Sequence, residues 1–302
     1  MWETLQMSGE YSPGTEVLPS VSFEFFPPKS EEASENLRRT VDRLAAFRPS
    51  FVSVTCGANG SSRSYTPTTI HKITQQTNVP VVAHMTCVGI SRGETEEMAR
   101  SYWDSGIRHI VALRGDRQNG SEVFEKHPNG FGYAAELVAA LKRVADFEIS
   151  VAAYPEVHPE AVSSEADLEN LKRKADAGAT RAITQFFFDT DTFFRFVERA
   201  RAAGISIPIV PGIMPLHNYT QVAKFARGCG TVIPSWLTHI FEGLDQDPSM
   251  RQMVAAAVAA EHCRILRAAG FHEFHFYTLN RAELTSAVCH LLGLRPRGST
   301  VG

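Results

Sequence analysis

Val21-Ser-Phe-Glu-Phe-Phe-Pro-Pro28 sets one carboxylate, Glu24, inside a run that otherwise reads as a buried parallel strand. Side chains alternate across a strand, so Ser22, Glu24 and Phe26 share one face while Val21, Phe23 and Phe25 share the other. An acid is thereby aimed into an interior. An ionised glutamate buried without a partner is costly, and its pKa is expected to rise until it carries a proton near neutral pH, the state of a general acid. The competing reading is a salt-bridged structural glutamate at a strand end.

Beyond this stretch the same unit repeats. Pro27-Pro28 stop the strand, Ser30 reads as an N-cap, and Leu37, Val41 and Leu44 recur at helical spacing. Further strands are expected at 51–55, 79–86, 109–113, 149–154, 181–187, 206–211 and 273–278. Helices are expected near 67–77, 94–105, 133–146, 164–177 and 190–203, with a closing helix after the last strand. Eight β-then-α units whose strands look buried on both faces predict an α/β fold, a closed (β/α)8 TIM barrel, rather than an open doubly wound sheet. The segment 217–270 is too long for one helix, so extra helices are expected between strands 7 and 8. Residues 1–19 lack apolar periodicity and read as a loosely held tail, leaving 20–302 as one barrel domain.

The totals exclude several classes. The chain has 302 residues and a net charge of -3, and its 30 Lys and Arg are dispersed, which leaves no basic stripe for a nucleic acid. Five cysteines, Cys56, Cys87, Cys229, Cys263 and Cys289, are odd in number and widely spaced, arguing against a disulfide framework and a zinc knuckle. No signal segment or membrane-spanning apolar run is apparent, so a cytoplasmic protein is expected. Neither G-x-x-x-x-G-K-[ST] nor G-x-S-x-G occurs, which removes phosphate-loop and nucleophile-elbow chemistry. No strand end carries the lysine a Schiff-base aldolase needs, and no H-x-H or H-x-x-x-H pair suggests a metal site.

In a barrel of this kind the working residues lie at the carboxyl ends of strands. Those positions are Glu24; Thr55 with Ala58 and Asn59; His84 with Thr86; Arg114-Gly115-Asp116; Tyr154-Pro155-Glu156 with His158; Gln185; Gly212; and Asn280-Arg281. Gly130-Phe-Gly-Tyr-Ala-Ala135 matches G-x-G-x-x-G/A but follows a polar loop rather than a strand, so it fails as a Rossmann fingerprint. It still opens a helix, where a pyrophosphate could rest; the alternative is a plain Gly-rich helix start. Asp167, Asn170 and Lys174, beside Arg173, fall on one face of the fifth helix, which in most proteins is only a solvated face.

Taken together, Val21-Ser-Phe-Glu-Phe-Phe-Pro-Pro-Lys29, Val54-Thr-Cys-Gly-Ala58, His84-Met-Thr-Cys87, Ala112-Leu-Arg-Gly-Asp116, Ala153-Tyr-Pro-Glu-Val-His-Pro-Glu-Ala161, Thr184-Gln-Phe-Phe-Phe-Asp189, Pro211-Gly-Ile-Met-Pro215 and Phe276-Tyr-Thr-Leu-Asn-Arg281 resemble the bacterial methylenetetrahydrofolate reductases, from about residue 20 to the end. The resemblance implies an FAD-containing barrel. It implies FAD contacts at Thr55, Ala58, His84, Arg114, Gly115, Asp116, Tyr133, Ala134, Tyr154, His158, Ala161, Asp167, Asn170, Arg173 and Lys174. Glu24, Asp116, Gln185, Gln221, Phe225 and Arg281 would face the folate, with Gln185 and Phe225 also meeting the nicotinamide.

The implied reaction passes a hydride from NADH or NADPH to FAD, then on to methylenetetrahydrofolate in ping-pong fashion, giving 5-methyltetrahydrofolate. Glu24 and Asp116 would be catalytic, the first delivering a proton to the leaving nitrogen and the second stabilising an iminium cation. Arg281 would pair with the folate's glutamate tail. No metal is implied, the partners are small molecules, and a homo-oligomer is expected. Cys56 departs from the family pattern, which has Tyr after the strand-2 Thr. No regulatory domain binding S-adenosylmethionine is expected after the last helix. Two other readings share the fold: an FAD barrel acting on an amino acid, such as a proline dehydrogenase, and a non-catalytic folate-binding barrel.

Overall fold

The structure is a computed structural model that describes residues 17–57, 63–116 and 124–297. Most of the expected tail lies outside the described residues. Its last part, Val17 to Pro19, precedes the first strand as coil, with the Val17 carbonyl accepting from Arg267.

Strands β1 (Ser20–Phe25), β2 (Phe51–Val54), β3 (Val81–Thr86), β4 (His109–Leu113), β5 (Glu148–Ala153) and β6 (Arg181–Thr184) alternate with helices α1 (Glu31–Ala45), α2 (Thr66–Gln76), α3 (Arg92–Asp104), α4 (Ala134–Val144), α5 (Ser164–Asp176) and α6 (Thr190–Ala202). Then come β7 (Ile209–Val210), β8 (Gly212–Ile213), helices α7 (Tyr219–Cys229), α8 (Ser235–Phe241) and α9 (Pro248–Ala268), strand β9 (Glu273–Tyr277) and α10 (Ala282–Leu291). The helix starts follow local chemistry. Ser30 caps α1 by accepting from the Ala33 N–H, and Ser91 and Glu94 form a reciprocal capping box on α3. Leu37, Val41 and Leu44 are the buried stripe of α1, as their spacing predicts.

All strand pairs are parallel, and the order is β7-β6-β5-β4-β3-β2-β1-β9-β8. The ends of this sheet, β7 and β8, are two halves of the expected seventh strand. Pro211 separates them: β7 pairs with β6, β8 pairs with β9, and the Pro211 carbonyl accepts from the His275 N–H at 3.0 Å. Proline has no N–H to give a ladder, so the seventh strand changes partner there and nearly closes the barrel. Three helices, α7 to α9, fill the connection before β9, as its length predicts.

Two strand boundaries differ from expectation by three residues, the others by no more than two. The sixth strand ends at Thr184, not near 187, because Phe186 and Phe187 leave the ladder to pack: Phe186 stacks on Phe225 at 5.6 Å and Phe187 on Phe193 at 4.7 Å. The seventh begins three residues late and is only two short pairs.

The alternation of β1 is as read. Phe23 and Phe25 are fully buried in the large core between sheet and helices, whereas Ser22 and Glu24 point into the lumen. The lumen has a small apolar cluster of Phe51, Val82, Val111, Ile183 and Val210. Below it lie polar side chains: His109 bonded to Ser150 at 2.8 Å, and Arg181 paired with Glu148 at 2.6 Å and Glu273 at 3.7 Å. Phe51 lies between the rings of His109 (5.0 Å) and His275 (5.7 Å), with the Arg181 guanidinium 5.8 Å from its centroid.

Burial holds His84, His217 and His262 down at about 4 and His109 at about 3, from an ordinary 6.5. The unfolded chain therefore takes up protons on these rings before the native chain does, so native stability drains away as pH falls from about 6.5 towards 4. A thermal-denaturation series over that range is expected to show a steadily decreasing Tm; a flat Tm would show that the rings are charged in the native protein. A second expectation concerns Gly212. A Cβ there collides with the Thr184 carbonyl and comes 2.7 Å from the Tyr277 ring. Gly212→Ala should cost about 3 kcal/mol in chemical denaturation, the scale of an overpacked core.

Candidate functional site

Glu24 is the next-to-last residue of β1, level with Ser53 of β2 and Tyr277 of β9. Its Oε2 lies 3.6 Å from Nε2 of His84 on β3 and 3.7 Å from Nε2 of His275 on β9. The lone-acid expectation is therefore corrected. Burial pushes the Glu24 carboxyl up, but the contact with His275 and the positive fields of His84 and His275 outweigh it and hold the group below its ordinary value. As folded, Glu24 is a carboxylate with two imidazoles at hand and not an acid carrying its own proton. His84 is buried and its Nε2 has no hydrogen-bond partner; burial outweighs the attraction of Glu24 and leaves the ring neutral at pH 7.

The end of β1 is fixed by the segment after β9. Thr278 Oγ1 donates to the Glu24 carbonyl at 2.6 Å. The buried Asn280 side chain accepts from the Phe26 N–H at 3.0 Å and donates to the Phe26 carbonyl at 2.9 Å, extending the β1–β9 pairing by side chain. Leu279 and Asn280 both take left-handed backbone, at φ 51° and 54°. Such strain in two successive residues other than glycine persists only where surrounding bonds over-determine it.

Above Glu24 a cavity of about 290 Å³ opens at the barrel mouth, lined by Glu24, Thr55, Cys56, His84, Asp116, Gln185, Phe225, His275 and Tyr277 among others. A second, of about 280 Å³, lies between the ends of β4 and β5 and helix α5. Its walls carry Arg114, Gly115, Asp116, Tyr133, Ala134, Tyr154, His158, Ala161, Asp167, Asn170, Arg173 and Lys174. Thr86, Leu113, Asp116, Ala152 and Tyr154 line both, so the two form one bent cleft.

The second compartment sets three cations, Arg114, Arg173 and Lys174, among three acids, Asp116, Glu160 and Asp167. Lys174 is buried and donates to the Ala152 carbonyl at 2.6 Å; burial pulls its ammonium down to about 8 against the attraction of Asp167. Arg114 pairs with Glu160 at 2.7 Å and lies 4.5 Å from the Phe124 ring centre. Asp167 accepts from the His158 N–H, and the His158 ring meets Tyr154 edge-on at 4.7 Å. At the Gly-rich helix start, the Gly132 N–H is taken by Glu136 at 2.7 Å, while Tyr133 and Ala134 face the cleft.

Of the residues expected to contact FAD, Ala58 lies outside the described residues, as does the neighbouring Asn59; every other one lines the cleft. Of the expected folate residues, Glu24, Asp116, Gln185 and Phe225 line the mouth, whereas the exposed Gln221 and Arg281, at the starts of α7 and α10, line neither compartment. Cys56 is buried against the mouth, its Sγ 3.8 Å from Thr86 Oγ1. Sequence reading missed His275, Tyr277 and Glu160. The first two share the period-two face of Glu273-Phe-His-Phe-Tyr277, the pattern that exposed Glu24 on β1, and that signal was available.

Among the described residues no helix is long and apolar enough to cross a membrane. In overall fold the chain is similar to a protein from Clostridium thermocellum described as binding two copies of 5-methyl-5,6,7,8-tetrahydrofolic acid (TM-score 0.63, 15% identity, covering 91% of this chain and 94% of that one). It is also similar to a dihydropteroate synthase from Xanthomonas albilineans (TM-score 0.50, 14% identity, 92% and 93% covered). At such identities the likeness concerns the barrel alone. In sequence it is 53% identical over 277 residues to the 5,10-methylenetetrahydrofolate reductase of Salmonella typhimurium, and 51% identical over 277 residues to that of Escherichia coli, covering 92% of each chain in both cases. A Zea mays protein named methylenetetrahydrofolate reductase (NADH) 1 is 37% identical over 284 residues, which span 90% of this chain and 48% of the plant protein. The family profile described as methylenetetrahydrofolate reductase matches residues 15–293, so that the chain belongs to the methylenetetrahydrofolate reductase family.

Proposed function

We propose that the bent cleft is a flavin-and-folate site in which FAD lies along both compartments and methylenetetrahydrofolate and NADH or NADPH take turns at the mouth. The observation that carries this reading is the junction of the compartments at Asp116 and Tyr154, which joins a cation-bearing pocket to a mouth holding Glu24. The residues present fit the cofactor. Arg114, Arg173 and the buried Lys174 suit a diphosphate, Asp167 and Asn170 suit hydroxyls, and the orphaned His84 Nε2 offers a polar contact beside a flat ring. Bound FAD would supply two-electron storage, accepting a hydride from the nicotinamide and giving one to the folate.

The chain's own groups do the rest. A proton is needed at the nitrogen that leaves when the folate's five-membered ring opens, and Glu24 is the carboxyl at the mouth able to deliver it. The Asp116 carboxylate, which lines the mouth, would stabilise the resulting cation. Phe225, half exposed and stacked on Phe186, offers a flat apolar surface for a ring, and Gln185 an amide for orientation. Gln221 and Arg281, outside the cleft, would meet the outer part of a long substrate such as a folate glutamate tail.

Purified protein loaded with FAD is expected to be yellow and to bleach on anaerobic addition of NADH or NADPH. Stopped-flow of Glu24→Gln should retain bleaching by the nicotinamide within about threefold and lose reoxidation by methylenetetrahydrofolate by at least about a hundredfold, the lower end of the range for removing a general acid. Equal loss of both half-reactions would make Glu24 structural. FAD affinity of the apoprotein, read by quenching of flavin fluorescence, should weaken as pH rises through about 8, because Lys174 then loses the charge that would attract the diphosphate.

A further inference from the structure

The proposed chemistry asks Glu24 for a proton, yet the fold holds Glu24 as a carboxylate. The proton must then be kept within reach, and the groups around Glu24 narrow the choice. His84 on β3 is neutral. Tyr277 on β9 is committed as a donor to the Thr184 carbonyl at 2.7 Å, and burial pushes its phenol far up. Cys56, after β2, is pushed up by burial and contacts Thr86. His109 on β4 lies on the far side of Phe51, bonded to Ser150. Asp116, after β4, is exposed and is itself an acceptor.

His275 remains, and its orientation is set. Ser22 Oγ lies 2.7 Å from His275 Nδ1 and 3.4 Å from the Phe274 carbonyl. A protonated ring has to donate from Nδ1, so Ser22 Oγ then accepts at 2.7 Å and can turn its own hydrogen to the Phe274 carbonyl, which can only accept. With Nδ1 carrying a hydrogen, Nε2 is the ring atom free to gain and lose one, and it faces Glu24 Oε2 at 3.7 Å, a small side-chain movement from a hydrogen bond. The ring is 1% exposed and stacked on Phe51, so it cannot swing away.

We propose that His275, held by Ser22, is the proton store for Glu24: its Nε2–H passes to the Glu24 carboxylate at Oε2, and the carboxyl so formed passes that hydrogen on to the leaving nitrogen of the folate, returning Glu24 to a carboxylate. This rests on the reading of the site as a folate reductase. In the step the folate C–N bond breaks, its electron pair stays on the departing nitrogen, which gains the proton, and the cation forms on the other nitrogen. His275 is left neutral with Nδ1 protonated, and solvent at the mouth restores the Nε2 proton in each turnover. His275 is thus a positioning residue that acts through Glu24.

Two readouts test it. In protein prepared without FAD and labelled with δ-13C glutamate, the Glu24 carboxyl, assigned by its loss in Glu24→Gln, is titrated by NMR. His275→Gln should raise its midpoint by more than about half a pH unit, because a neighbour able to carry positive charge is gone. In the FAD-loaded enzyme, His275→Gln should slow reoxidation by methylenetetrahydrofolate at least tenfold relative to reduction by NADH. It should also move the alkaline limb of that half-reaction's pH profile by more than half a pH unit. An unmoved Glu24 midpoint, or a uniform loss of rate with the pH limb in place, overturns the proposal and makes His275 a packing residue. Should His275→Gln not fold, Ser22→Ala, which keeps the ring but removes its anchor, is read by the same criteria. Wild-type protein that neither binds FAD nor is reduced by NADH would refute the functional reading instead, while the NMR titration would still decide the Glu24–His275 pairing.

Discussion

A ring of parallel strands has to meet itself somewhere, and here the meeting passes through Pro211. Because this residue has no N–H, one strand cannot continue its ladder across it; the two residues before bond to β6 and the two after bond to β9. The whole mouth depends on that change of partner. It sets Gly212 under the Thr184 carbonyl, where no side chain fits, and brings the Tyr277 hydroxyl to the same carbonyl at 2.7 Å. β9 pairs in turn with β1, which puts His275 and Glu24 on one wall.

Two interiors result, with opposite chemistry. Outside the strands Phe23, Phe25, Phe274 and Phe276 pack against the helices and supply most of the burial, so this layer carries stability. Inside, alternate positions of the same strands hold Ser22, Glu24, His84, His109, Ser150, Arg181 and His275. Polar groups in a low-dielectric lumen are tolerable only when bonded to one another, and most are. Among the exceptions one is instructive: His84 Nε2 is without a hydrogen-bond partner at the spot where the lumen opens into the cleft.

Much of this was legible from residue order. The eight units, the extra helices before the last strand and the alternation of β1 all follow from periodicity and from prolines and caps, which act over a few residues. The state of Glu24 was not legible, since it depends on imidazoles 60 and 251 positions away in the chain, brought near only by closure of the ring. The end of the sixth strand was missed for a related reason: Phe186-Phe-Phe188 has strand propensity, and tertiary stacking on Phe225 and Phe193 outweighs it. His275 was overlooked although the alternation that exposed Glu24 is repeated on its own strand.

Phe51, held between two imidazole rings above Arg181 with its paired acids, stops the lumen at its lower end. Among the described residues, a vessel corked at its base keeps the mouth as its doorway. Whatever reaches Glu24 along the lumen must therefore come from the mouth, because side chains fill the other end.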